Sequence, residues 1–167
     1  MTAARLDAVA TADRVAGALT EAGFAPCFGT PCGILAPLYA ALPGLLTVAR
    51  EDNAVGMAAG AALAGHAPAV LMQNSGLGQS VNALASLVVP YRIPMLLVVS
   101  VRGADGDPTP ENQVMGRLTE PLLAGLGVPA EILEADGVEE QVARLWLVVR
   151  ERPAALLVPP TALGWRA

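Results

Sequence analysis

Short apolar runs alternate along the chain with longer segments whose apolar residues recur at helical spacing. Runs of this short kind, bounded by turn residues, are typical of buried strands. They lie at 25–28, 45–48, 69–72, 94–100, 130–133 and 154–158. Helices are predicted between them, at 6–22, 34–42, 51–64, 81–88, 114–126 and 138–150.

This alternation predicts an α/β fold. Apolar strands that alternate with helices form a parallel sheet covered on both faces. We therefore expect a doubly wound, about six-stranded parallel sheet with helices on both faces. The pattern shows no repeat and no internal linker, so residues 1–167 are interpreted as one domain.

Four polar segments follow predicted strands and should meet at one edge of the sheet. They are 29–33, 50–54, 73–80 and 102–113, of which 73–80 (QNSGLGQS) and 102–113 (RGADGDPTPENQ) are predicted to be loops. Ligands of open parallel sheets bind outside the carboxyl ends of the strands. The functional edge of the domain is therefore predicted there.

Composition narrows the possible partners. Hydrophobic residues make up 54% of the chain and charged residues only 15%, which predicts a surface covered in part by other subunits. The net charge of −5 argues against nucleic acid. Uncharged stretches are broken by Pro and Gly, and the N-terminus lacks the apolar core of a signal peptide, so a cytoplasmic protein without a membrane span is expected.

The residue types that are missing exclude several chemistries. All ten cationic residues are Arg, which excludes a lysine Schiff base and a P-loop lysine. His66 is the single histidine, which excludes a His-rich metal site. Cys32 precedes a predicted helix and is a weak candidate nucleophile, because His66 is predicted at the opposite edge of the sheet.

Several residues at the predicted functional edge carry candidate chemistry. Glu51 opens a helix, either as a helix-terminal carboxylate or as an acid aimed at a ligand. Gly76 and Gly78 lack the third glycine of a dinucleotide fingerprint, so their loop suits a flat ring better than a phosphate. Candidate arginines for an anionic substrate are Arg50, Arg92, Arg102 and Arg117, although for any single one a surface ion pair is the favoured interpretation.

Three segments together resemble the pyrimidine-binding domain of thiamine-diphosphate enzymes. They are REDNAVGMAAGAALAG at 50–65, PAVLMQNSGLGQSVNAL at 68–84 and YRIPMLLVVSVRG at 91–103. The resemblance is strongest to the phosphonopyruvate and sulfopyruvate decarboxylase group. It implies that Glu51, in an E-x-N-A setting, is the catalytic acid that hydrogen-bonds N1′ of the aminopyrimidine.

The resemblance also implies which residues surround the cofactor and the substrate. Those expected to bind the cofactor are Gly29, Thr30, Pro31, Asn53, Gln73, Asn74, Ser75 and Gly76. Arg102 and Asn112 are expected to bind the substrate, a small 2-oxo acid. Asn112 stands where the phosphonopyruvate enzymes carry a histidine, so the identity of the substrate stays open.

A partner subunit is implied as well. Related enzymes bind the diphosphate and Mg²⁺ through a domain marked by GDG and a downstream Asn, whereas this chain has ADG at 135–137 and no Asn after Asn112. We therefore expect no metal ligand in this chain. A β subunit should bind the diphosphate and Mg²⁺ of thiamine diphosphate, in a hetero-oligomer such as α2β2.

The sequence thus predicts the α subunit of a heteromeric thiamine-diphosphate-dependent 2-oxo acid decarboxylase. Two alternatives stay open at this point. One is a carboligase that passes the same intermediate to an aldehyde, and the other is a non-catalytic assembly module.

Overall fold

The computed structural model describes residues 3–104 and 106–166. The helices among these residues are α1 Ala3–Ala22, α2 Ala36–Ala41, α3 Glu51–Leu63, α4 Asn74–Gln79, α5 Val81–Ala83, α6 Pro110–Leu126 and α7 Val138–Val149. A wide helical turn, Leu84–Val88, continues α5, and the N–H of Val89 donates to the carbonyl of Leu84, five residues back.

The six strands found in the described residues form one parallel sheet. They are β1 Cys27–Gly29, β2 Leu46–Thr47, β3 Ala69–Gln73, β4 Leu96–Ser100, β5 Ala130–Ile132 and β6 Ala154–Val158. Their order in the sheet is β2-β1-β3-β4-β6-β5. The chain leaves β1 toward β2 and then returns to β3 on the other side of β1. This reversal places a crevice between the carboxyl ends of β1 and β3, where open α/β sheets bind ligands.

The sheet separates two hydrophobic cores. Along β4, Leu96 and Val98 pack with residues of α1, α2 and α7. Leu97 and Val99 face the other way and pack with residues of α3, α4 and α6. Successive strand side chains point to opposite faces, so a strand buried on both faces has to be continuously apolar. The predicted doubly wound parallel sheet is confirmed.

Two predicted loops are wrong in part. QNSGLGQS was expected to be a loop, but helix α4 begins at Asn74, directly after β3. Glycine disfavours a helix, and here tertiary contacts at Gly76 and Gly78 decide the conformation instead. Segment 102–113 was expected to be irregular, but α6 begins at Pro110. Proline is favoured in the first turn of a helix because its missing N–H has no intrahelical partner there.

No helix in the described part of the chain is long and apolar enough to cross a membrane.

Candidate active site

A carboxylate lies at the crevice where the sheet reverses its strand order. Glu51 is the first residue of α3, which follows β2, and its side chain is half-buried. Thr30 directly follows β1, and its hydroxyl donates to Oε1 of Glu51 at 3.1 Å. The described residues place no second side-chain donor on this carboxylate. One oxygen is thus held by the protein, while Oε2 is left for another partner.

Gly76 allows Glu51 to adopt this position. A Cβ atom on Gly76 would lie 2.2 Å from Cγ and 2.5 Å from Cδ of Glu51. The carboxylate side chain therefore passes directly over the bare Cα of this buried helical glycine. Two residues on, a Cβ atom on Gly78 would meet the terminal methyl of Met115 on α6 at 3.1 Å. Helix α4 is thus held closely between Glu51 and α6.

Thr30 is itself held firmly. It is buried, its N–H donates to the carbonyl of Leu71 on β3, and its own carbonyl accepts a 2.6 Å hydrogen bond from the Tyr39 hydroxyl. Burial raises the pKa of Tyr39, so the tyrosine stays a neutral donor. The loop after β1 therefore holds the threonine hydroxyl in a fixed position relative to Glu51.

The neighbours of Glu51 on α3 face solvent. Arg50 and Asp52 form a two-bond ion pair, with a shortest distance of 2.9 Å, and the Arg50 guanidinium lowers the pKa of the Asp52 carboxyl. Asn53 is exposed, and its N–H donates to Asp52. Arg50 is thus engaged in the surface ion pair that the sequence left open as an alternative.

The three polar residues at the junction of β3 and α4 lie in different surroundings. Gln73 donates to the exposed Ser75 at 2.8 Å, so both stay at the carboxyl edge of β3. Asn74 is completely buried, and its amide nitrogen donates to the carbonyl of Arg102 and the hydroxyl of Thr119. Its Oδ1 has no hydrogen-bond partner among the described residues, and its contact with a cofactor stays a prediction. Asn74 joins the carboxyl edge of β3 to that of β4 and to α6.

A second carboxylate lies at the carboxyl end of β4. Asp107 is 2% exposed and accepts four hydrogen bonds. Oδ2 accepts from Nε of Arg102 at 2.7 Å, from the N–H of Gly103 and from the amide of Asn112, while Oδ1 accepts from the N–H of Thr109. The Arg102 hydrogen bond above all holds the pKa of Asp107 well below its usual range.

Both residues predicted to bind the substrate therefore contact this carboxylate. Arg102 also lies over the ring of Trp165, with its guanidinium carbon 4.5 Å from the ring centroid. This contact adds a cation–π interaction to the ion pair with Asp107. Arg102 and Asn112 share one acceptor oxygen, which the sequence had given no reason to expect.

The remaining sequence candidates lie apart from this edge or are otherwise engaged. Cys32 is buried with its sulfur 3.2 Å from the Ser100 hydroxyl. His66 is exposed in the turn before β3, at the amino edge of the sheet, so the two cannot form a nucleophile–base pair. Arg92 pairs with Glu151 at 3.5 Å, and Arg117 is exposed on α6.

A family model described as "Thiamine pyrophosphate enzyme, N-terminal TPP binding domain" matches residues 9–119, which include Thr30, Glu51 and Gly76. The chain belongs to the thiamine pyrophosphate enzymes.

Curated relatives of this thiamine pyrophosphate enzyme domain are decarboxylases by name. Sulfopyruvate decarboxylase subunit alpha of Methanothermobacter thermautotrophicus is 50% identical over 82 residues, 49% of this chain and 50% of that protein. Phosphonopyruvate decarboxylase of Streptomyces viridochromogenes is 36% identical over 161 residues, 90% of this chain and 40% of that protein. The alignments therefore span half or less of each relative.

A solved structure supports the fold alone. The 2-oxoglutarate:ferredoxin oxidoreductase from Magnetococcus marinus matches 92% of this chain and 29% of its own, with a TM-score of 0.72 and 15% identity. At that identity the likeness concerns the fold of the thiamine pyrophosphate enzyme domain and not its reaction.

The geometry at Glu51 fits the pyrimidine end of thiamine diphosphate. One carboxylate oxygen is held by Thr30, and the glycine at 76 leaves room for the side chain of Glu51 at the crevice. Gly29 ends β1 and lies against the side chains of Tyr39 and Leu45, whereas Pro31 is exposed in the following loop. Among the described residues, no group of three or more His, Cys, Asp or Glu side chains could hold a metal ion.

Asp107 and Tyr39 were missed at the sequence level. Thr109 donates its N–H to Asp107 two residues before it, which is the geometry of an Asx turn. The DPT segment at 107–109 carried that signal. Nothing local could have indicated the bond from Tyr39 to the Thr30 carbonyl, because it depends on how α2 packs against β1.

Proposed function

We propose that this chain is the pyrimidine-binding α subunit of a heteromeric thiamine-diphosphate-dependent decarboxylase of 2-oxo acids, of the sulfopyruvate or phosphonopyruvate type. One observation carries the proposal. The Glu51 carboxylate lies over Gly76 at the β1/β3 crevice, with Oε1 held by Thr30 and no second side-chain donor from the described residues.

Thiamine diphosphate supplies, when bound, the electron sink that accepts the electron pair released with CO₂. Glu51 would hold the pyrimidine end through a hydrogen bond between its Oε2 and a ring nitrogen. Thr30 favours this arrangement because its hydroxyl engages Oε1 and so leaves Oε2 to the ring. A group that shares a proton with the reacting system has to be within hydrogen-bond reach of its partner, which the crevice position allows.

Other residues of the edge surround the ring and the substrate. Gly29, Pro31, Asn53, Gln73 and Ser75 stay predictions as cofactor contacts. Arg102 and Asn112 are proposed to bind the substrate at the carboxyl end of β4, where Asp107 holds both. A guanidinium suits the anionic tail of a phosphonate or sulfonate because its N–H groups match paired oxygens.

A partner subunit completes the site. Relatives that bear the name "subunit alpha" support it. Large apolar side chains also lie exposed, among them Leu63 at 76% and Tyr91 at 73%. Exposed apolar surface of this kind marks protein–protein interfaces. The partner is proposed to bind the diphosphate and Mg²⁺.

The decisive test replaces Glu51 in the assembled complex. The chain is co-expressed with its partner, and CO₂ release is measured with sulfopyruvate, phosphonopyruvate and pyruvate. Glu51→Gln should lower turnover by about 10²–10⁴-fold, which is the usual contribution of a positioned proton-transfer group, while the complex still co-purifies. Asp52→Asn is the matched control, since it changes the adjacent carboxylate on the same helix turn and should retain turnover.

Two outcomes would contradict the proposal. One is a wild-type complex, loaded with thiamine diphosphate and Mg²⁺, that releases no CO₂ from any of the three acids. The other is a Glu51→Gln complex that turns over like the Asp52→Asn control. Product analysis with an added aldehyde would reveal a carboligase instead.

A further inference from the structure

The segment between β4 and α6 is built around one buried carboxylate. Burying a charge is costly unless the charge is paired and hydrogen-bonded. Asp107 meets this condition through its four hydrogen bonds, and its backbone carbonyl accepts a fifth from the amide of Gln113. These bonds tie the segment to the first turns of α6.

Backbone contacts hold Gly103 directly against α6. Gly103 has a φ of +82°, and a Cβ atom there would lie 2.2 Å from the backbone oxygen of Asn112. A Cβ atom on Gly116 would lie 2.5 Å from the oxygen of Gly103. The segment therefore lies directly on α6, where no side chain would fit between the two backbones. Asp107 thus holds a conformation that is already closely packed.

The same oxygen orients both proposed substrate ligands. Nε of Arg102 and Nδ2 of Asn112 donate to Oδ2 of Asp107 at 2.7 and 3.1 Å. An ionised carboxylate only accepts hydrogen bonds, so the Asn112 amide has to turn its nitrogen toward Asp107. Arg102 uses Nε on Asp107 and Nη2 on Thr109 at 3.3 Å, and 21% of its side chain stays exposed. The described residues give Nη1 no hydrogen bond, so this nitrogen can donate to an anion.

The segment is linked to the Glu51 crevice through α4. Asn74 donates to the carbonyl of Arg102 at 2.8 Å, and Gly76, two residues further, contacts Glu51. Strands β3 and β4 are direct neighbours, with Gln73 opposite Ser100. Since neighbouring strands lie about 4.8 Å apart, the backbone that follows β4, with Arg102, lies one strand from the crevice.

We propose that Asp107 is a positioning residue for the substrate's anionic tail, because its Oδ2 orients Arg102 and Asn112 together at the carboxyl end of β4. This inference rests on the proposed function, since it assumes a 2-oxo acid with a charged tail. Asp107 acts through Arg102 and Asn112 and does not itself touch the substrate.

The test measures preference for the tail separately from turnover. Binding of 3-sulfopropionate and of propionate to the assembled, cofactor-loaded complex is compared by calorimetry. The wild type should bind the sulfonate at least about tenfold more tightly, as expected for one hydrogen bond to a charged group. Asp107→Asn should abolish most of this preference. In turnover, it should raise KM for the sulfonated or phosphonated acid more than it lowers kcat.

Two further variants separate positioning from folding. Gln141→Leu disrupts another buried polar network, near β5, and should leave the preference for the tail intact. Asp107→Glu keeps the charge but displaces it by one methylene, so it should fold and lose part of the preference. Asp107→Glu replaces Asp107→Asn in the binding test if Asp107→Asn fails to fold.

The outcomes separate this inference from the proposed function. A complex that shows the preference and loses it with Asp107→Asn supports the positioning role, even if no acid is decarboxylated. An active complex in which both Asp107 variants keep the wild-type preference overturns the positioning role alone. A wild-type complex with neither turnover nor preference overturns both.

Discussion

Two carboxylates lie at the same edge of the sheet and differ in their burial and in the number of hydrogen bonds that they accept. Glu51, at the β1/β3 crevice, is half-buried and accepts one side-chain hydrogen bond from the described residues. Asp107, at the end of β4, is almost fully buried and accepts four. Its pKa is held well below the usual range, mainly by the hydrogen bond that it accepts from Arg102.

The difference shows that one edge of the sheet can contain a carboxylate with an oxygen left for a ligand and a carboxylate that is bonded only within the protein. Every strong interaction of Asp107 is made within the protein, so its charge fixes the segment between β4 and α6. Glu51 is fixed mainly by shape, through Gly76, and keeps one oxygen for a partner from outside. Buried carboxylates are often taken as candidates for catalysis, yet here the more deeply buried one, Asp107, makes its hydrogen bonds within the protein.

Among changes that keep the Glu51 carboxylate, the largest effect on kcat/KM should come from filling the space that Gly76 leaves to Glu51. In Gly76→Ala the new Cβ atom would lie 2.2 Å from Cγ of Glu51, so this flexible side chain has to move. Displacement of a reacting group by about 1 Å can cost roughly 100-fold in rate. We expect that loss in kcat/KM of the complex, with unchanged or higher thermal stability, because Ala favours the helix by up to about 1 kcal/mol.

Gly78→Ala is the control for this change. It makes the same substitution in the same helix, but its Cβ atom would meet only the mobile terminal methyl of Met115. Activity within about threefold of wild type is expected, which corresponds to less than 1 kcal/mol. Equal losses in both variants would show that α4, and not the position of Glu51, limits the rate.

Much of this comparison could be predicted from the sequence. The apolar strand runs predicted that Glu51, which follows β2, and the segment after Gln73 lie at the same edge. The reason is that the carboxyl ends of parallel strands meet at one edge of the sheet. The predicted sheet and the thiamine-diphosphate family are confirmed. The role of Glu51 itself stays a prediction. These successes depend on local periodicity and on motifs contiguous in sequence.

The rest depends on contacts between distant segments. Helix α4 was predicted to be a loop because glycines disfavour helices, yet both glycines are explained by side chains from α3 and α6 that lie against them. The bonds of the buried Asn74 to Arg102 and Thr119 were likewise not predicted. Such pairings join residues 28 and 45 positions apart, and no local pattern encodes them.

The second prediction concerns the acid stability of the Asp107 network. The folded pKa of Asp107 lies below its ordinary value of 3.8, so its stabilising contribution is present above that value and is lost as the pH falls toward the folded pKa. Asp107→Asn should therefore lower the free energy of unfolding by roughly 2–3 kcal/mol at pH 7, somewhat less than for a fully buried pair. The gap to wild type should narrow below about pH 4. Urea unfolding of the full chain from pH 7 to pH 3 measures this difference in the free energy of unfolding.

Glu139→Gln is the control for Asp107→Asn, because it removes a carboxylate from an exposed ion pair. The guanidinium of Arg14 lowers the pKa of Glu139 to about 2, but both side chains are substantially exposed. Solvent and salt screen such pairs, so the effect on stability should be small and should vanish at high salt. An Asp107→Asn variant that behaves like this control would contradict the buried network.

The smallest effect is expected from the single hydrogen bond that holds Glu51. Thr30→Val keeps the shape of the side chain and removes the hydroxyl that donates to Oε1 at 3.1 Å. A typical hydrogen bond contributes about 0.5–1.5 kcal/mol, so kcat/KM should fall by about 2–12-fold. Thr20→Val, on α1, removes a hydroxyl that bonds within its own helix and should leave kcat/KM unchanged. A Thr30→Val loss as large as that of Gly76→Ala would mean that the hydrogen bond, and not the space over the glycine, determines where the carboxylate lies. No loss at all would mean that packing against Gly76 alone places Glu51, whereas Asp107 is placed by four hydrogen bonds.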